Sequence, residues 1–143
     1  MGLDDLAPDV QAFVLTVCGL THRPASVWLI GSQANGRATE QSDWDLLIFG
    51  SSFLIDELKR DIAAPLKIDA LVVYNGNDYC DPWQNKRGAL KNLQWRLESA
   101  TVASYEGVRW IADSESEEDY SPSSGNMLVL KERALCLWAA PPL

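Results

Sequence analysis

VWLIGSQANGRATEQSDWDLLIF, residues 27–49, decides how the chain is read. Two apolar, β-prone runs, Val27–Ile30 and Trp44–Phe49, flank a polar insert. The insert opens on Gly31-Ser32, carries a candidate helical turn over 34–38, and closes on Asp43-Trp44-Asp45. Side chains alternate across a strand, so Asp43 and Asp45 are expected on one face and Trp44 on the other. Two carboxylates that share a face repel unless a cation lies between them. Magnesium suits such a site, because it prefers hard oxygen ligands and is held by one or two carboxylates together with substrate phosphates. A third acid, Asp69, interrupts the apolar run LKIDALVVY at residues 66–74. A carboxylate there is costly unless a metal, hydrogen bonds or a wet cleft compensates it.

The Gly-Ser turn complements these acids. Glycine lets a ligand approach the backbone, the Ser32 hydroxyl can donate to a phosphate oxygen, and free N–H groups after the turn favour anions. Phosphate on one side and metal-binding carboxylates on the other point to a nucleoside triphosphate. In-line transfer then needs mainly positioning and charge neutralisation by metal ions. Asp69 is the group placed to ligate the metal near the nucleophile or to accept its proton.

GSQANGRATEQSDWDLLIF resembles the GS-x10-DxD signature of the DNA-polymerase-beta-like nucleotidyltransferase superfamily, of the minimal nucleotidyltransferase type. Gly31, Ser32, Gly36, Ser42, Asp43, Asp45 and Leu46 fall on the motif, and Asp69 in KIDALVV matches its third carboxylate. The resemblance covers residues 27–74. It implies an α+β fold with a small mixed β-sheet and flanking helices, two divalent ions, Mg2+ or Mn2+, and transfer of a nucleoside monophosphate from a triphosphate, ATP being the expected one, to a hydroxyl. Under it Asp43, Asp45 and Asp69 are the catalytic and metal residues, and Gly31, Ser32, Gly36, Arg37 and Ser42 bind the nucleotide. Gln33 and Asn35 stand where the family commonly carries arginines, which leaves Arg37 as the replacement cation.

Around this motif the chain reads as one nucleotidyltransferase-like domain over 1–143, with a β-rich extension from about residue 75. Pro8 opens a helix that ends near Gly19 or Leu20, and Ser52 is the expected cap of a helix running to about Ala63. Runs at 93–98 and 102–110 pair as a hairpin across 99–101. Residues 127–138, MLVLKERALCLW, read as a strand followed by a helix. The acidic run at 113–119 and the following SPSSGN read as a solvated loop. His22 is a surface residue, and the tryptophans belong to the core rather than to a base-stacking platform. Lys86 and Arg87, on a loop, can reach phosphate or an acceptor.

The 143 residues carry a formal charge of −8, which argues against nucleic-acid binding through phosphates. Cys18, Cys80 and Cys136 fit neither a metal knuckle nor a disulfide framework and read as reduced thiols. With no signal peptide and no membrane-spanning run, the expected location is cytoplasmic. The first functional reading is a Mg-dependent nucleotidyltransferase whose acceptor is a small molecule or a partner protein, such as a toxin of the HEPN class. The alternative is a catalytically weak or inactive module of the same fold that acts as an antitoxin-like, partner-binding protein.

Overall fold

The computed structural model describes residues 2–110 and 127–141, without the side chains of 107–110 and 127–130. Two helices and eight strands follow one another: α1 (Pro8–Cys18), β1 (Ser26–Ile30), β2 (Trp44–Phe49), α2 (Ser52–Asp61), β3 (Ile68–Val73), β4 (Asp78–Cys80), β5 (Arg87–Ala89), β6 (Arg96–Leu97), β7 (Val102–Trp110) and β8 (Met127–Ala139). The strands form a single mixed sheet of order β5-β4-β3-β2-β1-β8-β7-β6. Among the described strands only β2 and β3 run parallel, joined through α2, which is the crossover that a parallel pair requires. The α+β class with flanking helices is thus observed.

Period-two alternation sorts the central strands into two faces. Val27, Leu29, Leu46, Ile48, Ala70 and Val72 pack under both helices, against Val10, Phe13, Val14 and Val17 of α1 and Leu54 and Leu58 of α2. Trp28, Leu47 and Val73 point the other way and pack with Leu90, Ala103, Tyr105 and Ala134. Among the described residues no α-helix covers that second face. It is closed by a 3-10 turn, Leu90–Leu93, and by Trp95, whose ring meets Trp28 at 5.5 Å, Phe49 at 5.6 Å and Tyr105 at 6.3 Å. Trp28 and Trp95 are therefore core residues. Trp83 also packs inward, against Phe13, with its indole N–H on the Ile62 carbonyl.

Several element boundaries differ from those expected. The turn after Gly31 covers 32–36 and does not become an α-helix: Ala34 N–H bonds to the Gly31 carbonyl, and Asn35 and Arg37 N–H to the Ser32 carbonyl. In α2, Ser52 is the first helical residue, Ser51 is the cap and makes no side-chain cap bond, and the helix stops at Asp61 before extended Ile62. The expected helix after 127 is absent, because β8 is strand throughout. It lies between β1 and β7 and pairs with both, Leu29 and Val102 each opposite Leu135. The β7 ladder runs along 127–135 and the β1 ladder takes over from Leu135 to Ala139, and this continuous pairing outweighs the helix-friendly composition of LKERAL. A register shift between Val27 and Trp28 leaves Leu137 as the extra residue on β8. The β6–β7 hairpin forms as expected, with Arg96 opposite Ser104. The acidic run at 113–119 and SPSSGN lie outside the described residues.

Candidate active site

Parallel pairing of β2 with β3 sets Asp45 directly opposite Asp69. Both share a face with Leu47 and Leu71, the face away from the helices. Neighbouring parallel strands thus bring two acids, 24 positions apart in sequence, side by side. Asp43 precedes β2 rather than lying within it, and it is exposed, while Asp45 and Asp69 are half-buried. Burial is the main cause that pushes the Asp45 carboxyl up to about 6. The charges of Asp69 and Asp43 and a hydrogen bond shared with Asp69 push the same way, and Lys86 opposes them. All three acids therefore act on one locality. Trp44 faces away, as the alternation requires, and lines a separate cavity with Val10 and Ile68.

The Gly31 turn meets this carboxylate pair from β1. Ile30 is paired with Asp45, so Gly31 is the first residue past the ladder on the next strand. Its φ is +74°, a left-handed conformation that favours glycine. A Cβ placed there would collide with Asp45 Oδ2 and lie 3.1 Å from Asp45 Cγ. The backbone can approach the carboxylate this closely only where no side chain intervenes. Gly36, with φ of +70°, stands at the exposed end of the turn and needs glycine for conformation alone, since a Cβ there would meet open space.

Other residues of the motif have local partners. Asn35 Nδ2 donates to the Gly31 carbonyl at 2.8 Å and to the Arg133 carbonyl at 3.0 Å, and its Oδ1 accepts the Arg133 N–H at 2.8 Å. Asparagine at this position thus ties the turn to β8, its short amide donating and accepting at once. Arg37 forms an ion pair with Glu132, whose side chain is 9 % exposed. Ser42 Oγ accepts the Thr39 N–H at 2.9 Å, closing a small turn ahead of Asp43. Ser42 and Gln33 line the cavity of about 710 Å³ on the Trp44 side of β2, which contains none of the three acids. That cavity carries less chemistry than the carboxylate pair, and the acids mark the candidate site.

A divalent cation fits the donor set in part. Asp45 and Asp69 offer paired hard oxygens, half-buried and mutually repelling, and Mg2+ is commonly held by one or two carboxylates completed by phosphate and water. Among the described residues no three His, Cys, Asp or Glu side chains are gathered closely enough to hold a metal on their own. Asp43, the third acid, is exposed and lies just ahead of β2. The three cysteines are free, with burial raising each thiol pKa. His22 is half-exposed, stacked on Phe53 and 3.1 Å from Glu57 Oε1.

Tyr105 and Glu132, which hold Gly31 and Arg37, were not legible in the sequence. Tyr105 Oη accepts the Gly31 N–H at 2.8 Å from 74 positions away, and no local pattern announces such a partner. No helix among the described residues is long and apolar enough to cross a membrane. Neither the curated proteins nor the solved structures searched yielded a match. A family model described as a nucleotidyltransferase domain matches residues 13–102, a span that contains the Gly31 turn and all three acids. The chain belongs to the nucleotidyltransferase domain family, within the DNA-polymerase-beta-like superfamily.

Proposed function

We propose that the chain transfers a nucleoside monophosphate from a triphosphate, ATP in the first instance, to an acceptor hydroxyl. The observation that carries this reading is the pairing of Asp45 with Asp69 across parallel strands while the Gly31 backbone lies against Asp45. Asp43, Asp45 and Asp69 would hold Mg2+ or Mn2+. When bound, such ions neutralise the triphosphate and polarise the phosphorus under attack. Gly31 and Ser32 would receive the phosphates, the Ser32 hydroxyl donating to a phosphate oxygen. Asp69 would accept the proton of the attacking hydroxyl at a carboxylate oxygen. Lys86, whose charge already favours the Asp45 carboxylate, would steady a phosphate. Arg37 would reach the nucleotide only by leaving Glu132.

The acceptor is a hydroxyl on a partner protein, such as a HEPN-class toxin, or on a cationic small molecule drawn to an acidic cleft. Nucleic acid is disfavoured by the charge of −8. Titration calorimetry with each of the four triphosphates and Mg2+ tests the reading. Binding by the wild type that Asp45→Asn abolishes, with the fold retained, is the expected result; no heat with any triphosphate sinks it.

A second reading, a partner-binding module with weak or lost catalysis, is favoured by one observation. Asn35 and Arg37 are both committed to β8, and position 33 is a neutral glutamine, so the turn itself offers no unpaired cation. Full biological activity in a variant lacking Asp43, Asp45 and Asp69 together would select this reading.

A further inference from the structure

The Gly31 turn is tied at both of its backbone groups. Its N–H is accepted by Tyr105 Oη at 2.8 Å, and its carbonyl accepts Asn35 Nδ2 at 2.8 Å, the same amide group that grips the Arg133 backbone. Tyr105 sits on β7, which is separated from β1 by β8, so its side chain crosses a whole strand to reach the turn. The ring is itself held in place, being 7 % exposed and stacked on Trp95 at an interplanar angle of 27°. Among the described residues no protein acceptor takes the N–H of Ser32 or Gln33, whereas the Gly31 N–H is occupied. The Ser32 N–H lies in the peptide plane that follows Gly31, whose carbonyl Asn35 holds, and Tyr105 holds the plane that precedes Gly31, so the two bonds together set where the start of the turn points.

We infer that Tyr105 is a positioning residue: its hydroxyl, acting through the Gly31 N–H, sets the Gly31-Ser32 turn in the orientation that receives the triphosphate. The phenol contacts the turn and not the substrate. Its contribution is to hold a glycine, the residue with the most backbone freedom to lose, in one left-handed conformation beside Asp45. The β-rich extension then has a direct bearing on the site, because β7 and β8 supply what the turn leans on. The consequence for nucleotide rests on the proposed function; the lock itself rests on geometry alone.

Tyr105→Phe keeps the ring and its stack on Trp95 while removing the acceptor. In the full chain, amide hydrogen exchange at Gly31 should accelerate in this variant with exchange at Leu29 unchanged. Mg-ATP affinity should fall by about tenfold, as expected for one lost hydrogen bond, while affinity for Mn2+ alone stays at the wild-type level. Unchanged exchange at Gly31 overturns the lock, and accelerated exchange with unchanged Mg-ATP affinity overturns the positioning role. A parallel fall in Mn2+ affinity also overturns it, by showing general damage to the site. If the wild type binds no Mg-ATP, the nucleotide role fails with the proposed function, and Gly31 exchange still decides the lock. Should Tyr105→Phe not fold, Asn35→Ala releases the turn from its other side and is expected to accelerate the same amide and weaken Mg-ATP in the same way; no effect on either overturns the proposal.

Discussion

At the scale of single residues, Gly31 and Asp45 are chosen for each other, one giving up its side chain so that the other can lie against the backbone. Gly31→Ala must place a Cβ where Asp45 Oδ2 lies and hold a non-glycine residue at φ +74°, a conformation costing about 1–2 kcal/mol for an L-residue. Because the carboxylate is a movable end, it will rotate away and relieve part of the clash. The expected outcome is a folded protein with a modestly lower Tm and a larger loss of triphosphate binding than of stability. Asp45→Asn should separate stability from function in the other sense. The Asp45 carboxyl stands at about 6, held up by burial first and then by Asp69 and Asp43, so at neutral pH it is ionised in both states and its charge costs the folded chain stability relative to the unfolded one. In metal-free buffer at pH 7 the amide should raise stability by about 1 kcal/mol, a figure discounted for the solvent reaching a half-buried group, while abolishing nucleotide transfer. Thermal melts and a transfer assay on the same preparation check both halves.

At the scale of elements, α2 is anchored by charge as well as by Leu54 and Leu58. Glu57, buried on this helix, accepts the His22 N–H at 2.8 Å and the Thr21 N–H at 3.1 Å, gripping the connection that leads from α1 to β1. The His22 backbone bond is the main cause that lowers its carboxyl below the ordinary value, with the Thr21 bond and the His22 ring adding to it. The sign follows from which state binds the proton more tightly. The unfolded chain protonates Glu57 at higher pH than the folded chain does, so the stabilisation is complete above about 4.5 and is lost as pH falls through the lower folded value. Glu57→Gln should lower Tm at pH 7, and the gap from wild type should narrow towards pH 3. A gap independent of pH would assign the loss to packing rather than to the carboxylate.

At the scale of the whole molecule, the matched family segment and the sheet do not share a boundary. Residues 13–102 contain β1 to β6, yet β8, the strand between β1 and β7, comes after them. Without β8, strand β1 becomes an edge, Leu29 loses the ladder to Leu135, and Leu137 is withdrawn from the helix-side core. An exposed hydrophobic edge of this kind invites aggregation. A fragment ending at residue 102 should therefore show no cooperative thermal transition by circular dichroism, while the full chain shows one. Cooperative melting of the fragment would mean that the β7–β8 hairpin is an appendage, and Tyr105 could not then be essential to the site's shape.

The acids and the Gly-Ser turn were legible in the sequence because their spacing is local. Strand alternation places Trp44 away from the carboxylates whatever surrounds them, and the run 66–74 declares a strand with one acid in it. The residues that tie the Gly31 turn were not legible, since Tyr105 and Glu132 reach it only through a strand order in which β8 inserts between β1 and β7. For the same reason residues 127–138 looked part helical: their own composition permits either form, and pairing with β7 over the first part and with β1 over the last decides for strand. The sequence by itself determined which groups are the candidates for chemistry, because covalent spacing and side-chain period are short-range. Only the tertiary structure decided what holds those groups in place, because hydrogen bonds between strands far apart in the chain exist only once the sheet has closed.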